Sequence, residues 1–505
     1  MENQSHQDQP GSSQWPPDES IETDEVVLHS PPIQDTKNKF KFRYMMQFLV
    51  FYGMFLVYAM RTNLSITILA MVTNNTDNST DDLSLSLQGN STRPDVPVYP
   101  WDESMRGWLL QAFFMGYILT QIPGGYLAES VSVKWVFGYG IFLTACLTIL
   151  SEAAVRIDYS AFFVLRVLEG VCEGVTYPSL YALCARWSPV TERSWMAGVA
   201  NIGTIIGTVV AAPLSAWLCE SAWGWPGVFY VTGGLGVVWG LMWYLLATST
   251  PEKCRWMSEE EKSYIVNTRG VLNFENRKNR KVPWKALLSS RAVWVISICK
   301  FTNSFIFYIF LTEIPSYLKY IFDIDIQKNG YISSASYMGN AVVSLISSWS
   351  SDVFIARNPA KITRVRKSYE CTAQFLGALT IGIIPFLGGD KQAIVAILIL
   401  NTSVNGLTAG GDVAIPIDIG PSQAGAIQGF ANTISNIAGV LAPLLVGYMT
   451  KQNETKAAWN AIFVITAAIS LAGSLIFLIW GSAEVEEWAK DEEQDTSRLV
   501  EEGKE

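Results

Sequence analysis

Long apolar windows recur along the chain, and each has the length that a helix needs to cross a lipid bilayer. A crossing helix requires about 20 mostly apolar residues. About twelve windows meet this description: 44–72, 105–128, 133–154, 158–187, 196–218, 226–248, 292–321, 329–352, 368–388, 391–412, 423–449 and 457–481. Only 16% of the 505 residues are charged, against about 25% in soluble domains. The sequence therefore predicts an all-α, multi-pass membrane protein that has the lipid bilayer as a partner.

The rare residues exclude several classes of protein. The two histidines, His6 and His29, precede the first apolar window, so no Ser-His-Asp or Cys-His site is available in the body of the chain. The seven cysteines have no CxxC spacing and are interpreted as small apolar side chains. The net charge of −9 comes largely from acidic tails and loops, which does not favour nucleic acid as a partner. The sequence predicts neither an enzyme, nor a metal site, nor a cofactor, and it contains no filter-like loop of an ion channel.

Basic residues and glycosylation sequons predict the orientation in the membrane. Lysine and arginine concentrate before the first window, after the sixth and after the eighth. Basic loops stay in the cytoplasm, so both termini are predicted to be cytoplasmic. The segment 73–104 carries sequons at Asn74, Asn78 and Asn90, which are expected to be glycosylated on the opposite side.

A repeated glycine pattern divides the windows six and six. The fifth window reads Gly198-Val-Ala-Asn201 and continues from Gly207 to Pro213, while the eleventh reads Gly429-Phe-Ala-Asn432 and continues from Gly439 to Pro443. Such repeats are typical of transporters built from two related halves. The predicted divisions are a disordered cytoplasmic leader (1–43), two pseudo-symmetric six-helix halves (44–248 and 292–482), a cytoplasmic linker (249–291) and an acidic cytoplasmic tail (483–505).

Four charged residues lie inside the first-half windows. A charge at the centre of a membrane helix costs about 3 kcal/mol, so it must face protein or water. Helical spacing places Arg166, Glu169, Glu173 and Tyr177 on one face of the fourth span, with Glu169 near the depth of Arg61. A permanent cation at Arg61 suits an anionic substrate, Glu169 and Glu173 are candidates for proton coupling, and Arg166 is a supporting charge. The alternative is that these charges neutralise one another and fix the helix register.

The second half shows fewer such charges. Lys300 and Glu313 lie 13 residues apart in the seventh span and therefore on roughly opposite faces. Glu313 is expected in an outer vestibule. Asp412 ends the tenth window, and Asp418 is expected to cap the loop beyond it.

Four local strings resemble the anion/cation symporters of the major facilitator superfamily, the group that holds sialin, the vesicular glutamate transporters and the type I sodium–phosphate cotransporters. They are Tyr58-Ala-Met-Arg61-Thr-Asn63-Leu-Ser65, Gly116-Tyr117-Ile-Leu-Thr120-Gln121-Ile-Pro123-Gly124-Gly125-Tyr126, Leu168-Glu169-Gly-Val-Cys-Glu173-Gly-Val-Thr-Tyr177-Pro178 and Trp187-Ser-Pro189-Val-Thr-Glu192-Arg193-Ser194. Within this group the chain resembles sialin more than the glutamate transporters, which carry a histidine and an arginine where this chain has Leu110 and Asn303. It departs from sialin at Tyr181 and at 415–416, so the substrate stays open.

The resemblance implies a twelve-helix major facilitator fold and proton-coupled symport of an organic anion by alternating access. An acidic sugar such as sialic acid and an acidic amino acid are the expected substrates. The candidate substrate-binding residues are Arg61, Asn63, Tyr117, Tyr177 and Asn303. The alternative is a sodium-dependent cotransporter of inorganic phosphate or organic anions. The expected location is a lysosomal or endosomal membrane, or the plasma membrane.

Overall fold

Helices account for nearly all of the architecture. The computed structural model describes residues 41–72, 96–269, 282–324, 326–450 and 455–489, all within the unit Asn38–Glu505. The first helices are α1 (Phe42–Met71), α2 (Glu103–Ser130), α3 (Val133–Ile157), α4 (Tyr159–Glu173), α5 (Thr176–Trp187), α6 (Arg193–Glu220), α7 (Gly224–Leu246), α8 (Glu259–Thr268) and α9 (Trp284–Ser289). The later ones are α10 (Arg291–Tyr308), α11 (Ile314–Phe322), α12 (Ile326–Arg357), α13 (Ile362–Ile383), α14 (Lys391–Asn405), α15 (Ile415–Ile419), α16 (Ala424–Thr450) and α17 (Lys456–Trp480).

Each of the twelve predicted windows contains helix, and the described residues include eight helical stretches long and apolar enough to cross a membrane. These are Phe42–Ile68, Val133–Ile157, Val190–Glu220, Gly224–Leu246, Arg291–Glu313, Lys391–Ile419, Pro421–Thr450 and Lys456–Trp480. The fourth window is divided between helices of 15 and 12 residues, and α12 is rich in serine. That all twelve windows cross the bilayer, and that both termini are cytoplasmic, therefore remain predictions.

Three predicted spans are interrupted rather than continuous. The fourth breaks after Glu173, because Gly174 and Val175 separate α4 from α5. The backbone of α2 approaches here, since a Cβ at Gly174 would lie 2.4 Å from the carbonyl oxygen of Tyr117. The seventh contains a π-helical turn at Ile309–Glu313, and the tenth becomes a 3₁₀ helix at Gly406–Gly410. At such a break, backbone N–H and C=O groups lose their helical hydrogen bonds and can bind a ligand or a polar side chain instead.

The repeated glycines make matching contacts in the two parts of the chain. A Cβ at Gly198 would lie 2.1 Å from Ser348 Oγ of α12, and one at Gly429 would lie 2.4 Å from the carbonyl oxygen of Gln121 in α2. Small residues let membrane helices approach this closely. The fifth window thus packs on the eighth, and the eleventh packs on the second. In both cases the fifth helix of one half packs on the second helix of the other half, as two related six-helix halves predict.

The apolar core is divided in the same way. One buried cluster, which includes Met54, Phe137 and Trp239, comes mainly from α1, α3, α5, α6 and α7. Another, which includes Leu318 and Phe463, comes from α10, α11, α13, α14, α16 and α17. We refer to α1–α7 as the N-terminal helices and to α10–α17 as the C-terminal helices.

Charged groups join these two sets of helices at one end of the bundle. Asp418 binds Arg193 (Nη1 to Oδ1, 3.0 Å) and Arg366 (Nε to Oδ2, 2.9 Å). Asp352 accepts hydrogen bonds from the backbone N–H groups of Ser194 (3.2 Å) and Trp195 (2.7 Å), near the N-terminus of α6. We call Arg193, Asp352, Arg366 and Asp418 the latch.

The prediction that Asp418 caps a loop is wrong. Asp418 lies within α15, its side chain is fully buried, and two arginines from different parts of the chain share it. Sequence position alone placed it near a turn, whereas its partners come from residues 52 and 225 positions away.

Several predicted features fall outside the described residues. These include the sequons at Asn74, Asn78 and Asn90, most of the leader and most of the acidic tail. Within the predicted linker, the helix α8 contacts the start of α1, because Glu261 accepts hydrogen bonds from the backbone N–H groups of Phe42 (3.0 Å) and Arg43 (3.1 Å).

Candidate functional site

An ion pair inside the N-terminal helices links α1 to the broken fourth span. Arg61 Nε donates to Glu173 Oε1 at 2.8 Å, and Nη2 lies 2.8 Å from the same oxygen. The Glu173 side chain is fully buried at the last residue of α4, whereas Arg61 keeps 10% of its side chain exposed. The cation is therefore the more accessible partner of the pair.

Aromatic rings surround the Arg61 guanidinium. Its central carbon lies 4.7 Å from the ring centroid of Tyr58, 4.2 Å from that of Tyr117 and 4.8 Å from that of Phe113. Such rings attract a cation through their quadrupole and fix its position without neutralising its charge. The hydroxyl groups of Tyr58 and Tyr177 lie 3.2 Å apart, so Tyr177 completes the same wall. The guanidinium is thus held in place, with Glu173 as its carboxylate.

A second ion pair lies one turn away on α4. Arg166 Nη1 donates to Glu169 Oε2 at 2.5 Å, and Ser151 Oγ donates to Glu169 Oε1 at 3.4 Å. Both side chains are almost fully buried. The Arg166 guanidinium also faces Phe113, at 5.5 Å from the ring centroid. Glu169 therefore pairs with Arg166 rather than with Arg61, and the two glutamates of α4 belong to two separate ion pairs.

The structure places Tyr117 against Arg61 and Tyr177 beside Tyr58, but it places Asn63 elsewhere. Asn63 follows Arg61 by two residues, which turns it by about 200° around the helix. Its Nδ2 donates to Thr232 Oγ1 of α7 at 3.1 Å, and its side chain is fully buried. The prediction that Asn63 contacts the same ligand as Arg61 is therefore not supported by its position.

Asn303 belongs to a different polar cluster, in the C-terminal helices. Its Nδ2 donates to Glu370 Oε1 at 2.8 Å. Nearby, Lys300 Nζ binds Asp412 Oδ2 at 3.2 Å, and the Asp412 backbone N–H donates to Glu370 Oε2 at 3.1 Å. We call Lys300, Glu370 and Asp412 the C-terminal charge cluster, and Arg61, Arg166, Glu169 and Glu173 the N-terminal charge cluster.

Glu370 is the residue that sequence reasoning missed. It lies in α13 and is fully buried. The available signal was a carboxylate near the start of the ninth apolar window, of the same kind as Glu169 and Glu173 in the fourth. Lys300 is paired with Asp412, and its side chain is 10% exposed. It lies 5.7 Å from the ring centroid of Tyr181 in α5, so this cluster faces the N-terminal helices.

Solved structures share this architecture. The proton:xylose symporter XylE, a major facilitator protein bound to 6-bromo-6-deoxy-D-glucose, superposes with a TM-score of 0.64 over 87% of this chain and 96% of its own, at 13% identity. At that identity the likeness establishes the fold. The fold and its long apolar helices together define an α-helical, multi-pass membrane protein.

Sequence comparisons assign the family. The Major Facilitator Superfamily model matches residues 50–443. Human sialin is 35% identical over 88% of this chain and 90% of its own length. Vesicular glutamate transporter 3 of Danio rerio is 32% identical over 89% of this chain and 75% of its own. The chain belongs to the Major Facilitator Superfamily, in the group of sialin and the vesicular glutamate transporters, and its relatives are transporters rather than enzymes.

Proposed function

We propose that the chain is a proton-coupled symporter of small organic anions that works by alternating access. The observation that carries this proposal is the Arg61–Glu173 pair, in which a partly accessible cation is held by one buried carboxylate. An acidic sugar such as sialic acid and an acidic amino acid such as glutamate are the substrates that we favour. The similarity to sialin and to the glutamate transporters supports this class of substrate.

Competition for Arg61 provides the coupling. When Glu173 is ionised, it occupies the guanidinium and excludes the substrate carboxylate. A proton that binds Glu173 cancels this attraction, so Arg61 becomes available to the anion. The rings of Tyr58, Tyr117 and Phe113 hold the guanidinium in place during the exchange. Proton and anion therefore occupy the site together, which is the condition for symport.

The two glutamates of α4 differ in how directly they take part. Glu173 contacts Arg61, whereas Glu169 is paired with Arg166 and reaches Arg61 only through the shared ring of Phe113. We assign the main coupling proton to Glu173 and keep Glu169 as a second candidate. Tyr117 and Tyr177 are proposed to contact the substrate beside Arg61.

Membrane location and sidedness complete the proposal. The twelve windows form two six-helix halves, at 44–248 and 292–482, with both termini in the cytoplasm. The relatives favour a lysosomal or endosomal membrane, and the plasma membrane is the other possibility.

Uptake into proteoliposomes tests the proposal. Labelled sialic acid and labelled glutamate are offered with and without an inside-alkaline pH gradient. We expect the gradient to accelerate uptake of one of them and the Glu173→Gln variant to transport independently of pH. Glu313→Gln is the matched control, because it neutralises a glutamate outside both charge clusters, and it should keep the pH response. Uptake that ignores the gradient in the unmodified protein contradicts the proposal.

The alternative is a sodium-dependent cotransporter of phosphate or organic anions. Replacing external sodium with choline distinguishes it from a proton symporter. A proton symporter keeps its rate in choline. Loss of uptake in choline, together with uptake of labelled phosphate, would support the alternative instead.

A further inference from the structure

The two charge clusters differ in their charge balance. The N-terminal charge cluster contains two arginines and two glutamates, arranged as two pairs. The C-terminal charge cluster contains one lysine and two carboxylates, and the lysine is paired with Asp412. An unpaired ionised carboxylate in a buried site is costly. Glu370 is therefore the excess acid of the C-terminal charge cluster.

The described cations near Glu370 are engaged elsewhere. Arg366 lies one turn earlier on α13, but it binds Asp418, Ser194 Oγ and the carbonyl oxygen of Gly410. Lys300 is 3.2 Å from Asp412 Oδ2. Among the residues that the structure describes, Glu370 has hydrogen-bond donors around it but no ion-pair partner.

Neutral donors from three directions surround the Glu370 carboxylate. Oε1 accepts from Asn303 Nδ2 (2.8 Å), Gln374 Nε2 (2.9 Å) and Cys299 Sγ (3.1 Å), while Oε2 accepts from the Asp412 backbone N–H (3.1 Å). The titratable groups that face it are Cys299 and Lys300 from α10 and Asp412 from the segment after α14. Cys371 follows on α13, and Tyr181 of α5 lies beyond Lys300. This environment holds the ionised form but does not supply the missing positive charge.

Asn303 offers an acceptor for a proton on Glu370. Its Oδ1 is inaccessible to solvent and has no hydrogen-bond partner in the described part of the chain. Because a side-chain amide has a donor at one end and an acceptor at the other, a half-turn of the Asn303 amide replaces the N–H that Glu370 now receives with an oxygen. A protonated Glu370 can then donate its O–H to Asn303 Oδ1. The same side chain therefore serves both charge states of Glu370.

We propose that Glu370 is a second coupling site, which binds one proton in addition to the one assigned to the α4 glutamates. The bound proton forms an O–H bond on the carboxylate and cancels the excess charge while the site is closed; the bond breaks when the proton leaves to water on the other side. This inference rests on the proposed symport. A sodium ion fits less well, because both carboxylate oxygens already accept from N–H and S–H donors.

The dependence of anion accumulation on the membrane potential measures how many protons accompany each anion. Proteoliposomes containing the full chain receive labelled sialic acid or glutamate under an inside-negative potential of about 100 mV, with equal pH on both sides. One elementary charge at that potential changes the equilibrium accumulation about 50-fold. We expect Glu370→Gln to accumulate about 50-fold less than the unmodified protein. Equal accumulation in the two overturns the inference.

Two further variants keep the test decisive. Glu313→Gln neutralises a glutamate of the seventh window. Glu313 accepts from Thr312 Oγ1 outside the cluster, so this variant should accumulate like the unmodified protein. Asp412→Asn leaves one lysine and one carboxylate, so it should lose the same single charge even if Glu370→Gln fails to fold. Normal accumulation in Asp412→Asn counts against the inference.

Infrared spectroscopy separates this inference from the proposed function. During a pH titration of the purified protein, the carbonyl band of a protonated carboxylic acid should contain a component that Glu370→Gln removes and Glu313→Gln keeps. Without that component, Glu370 binds no proton and the inference fails. If uptake by the unmodified protein ignores both pH and potential, the symport proposal fails instead.

Discussion

The N-terminal and C-terminal charge clusters each lie within apolar windows of their own set of helices. The two clusters differ in how their buried charges are balanced. Around Arg61, each acid has its own arginine, and aromatic rings fix the cation. Around Glu370, one lysine is present for two acids. The lysine pairs with Asp412, and amide and thiol groups donate hydrogen bonds to Glu370. An arginine–glutamate ion pair can open to bind an anion, whereas an acid without a cation partner needs a proton or another cation to neutralise it.

Charge balance therefore distinguishes two roles that residue type alone does not. Both clusters contain a base and two carboxylates close together in the membrane interior. Only the first adds a second arginine, Arg166, which takes Glu169 out of competition for Arg61. The difference assigns anion binding to the N-terminal helices and an additional proton to the C-terminal helices, as we propose.

Removing the Arg61 charge should have the largest effect, because it makes the N-terminal charge cluster resemble the C-terminal one. In Arg61→Gln, Glu173 remains buried without a cation, which costs about 3–5 kcal/mol of the free energy of unfolding. We expect a lower temperature of thermal unfolding in detergent and no measurable anion uptake.

The double variant Arg61→Gln/Glu173→Gln separates stability from transport. It removes both charges, so most of the lost stability should return while uptake stays absent. Normal uptake by Arg61→Gln alone would exclude this residue from anion binding.

Opening the latch should have the next largest effect, because the latch joins the helices that hold one cluster to the helices that hold the other. Asp418→Asn leaves Arg193 and Arg366 without their shared carboxylate. Each 1.4 kcal/mol lost from the closed state shifts the equilibrium tenfold. We expect a cysteine at Ala182, a buried position that packs near Gly425 of α16, to react with a water-soluble maleimide at least about tenfold faster.

Asp158→Asn is the control for the latch, since Asp158 is an exposed acid at the start of α4. It should leave the labelling rate of Ala182→Cys unchanged. An unchanged rate in Asp418→Asn as well would mean that apolar packing, rather than these ion pairs, holds that end closed.

Substitutions of Tyr58 should give the smallest effects. They separate the contribution of its hydroxyl from that of its ring, which lies over Arg61. Tyr58→Phe keeps the ring over Arg61 and loses the contact with the Tyr177 hydroxyl, which is worth about 1 kcal/mol. We expect a change in KM of about fivefold or less. Tyr58→Leu also removes the cation–π contact, about 1 kcal/mol more, and should raise KM further. Equal effects of the two changes would assign no role to the ring.

Sequence patterns predicted the helical fold well, because apolar windows of bilayer length have few alternative structures. The Arg61–Glu173 pair was also within reach of the sequence, since intramembrane charges are rare and must find partners. The break after Glu173 was not, because it depends on the approach of the α2 backbone to Gly174. The environment of Glu370 was missed because its partners come from α10, α13 and the segment after α14.

By itself, the sequence determined the class of protein and most of the side chains that matter, through hydropathy and the high free energy of burying a charge. The tertiary structure decided which charges on different elements face each other: Arg61 with Glu173, Lys300 with Asp412, and two arginines with Asp418. Helical periodicity fixes the face on which a residue lies, but a partner on another element depends on the distance between the two elements, which only the tertiary structure sets.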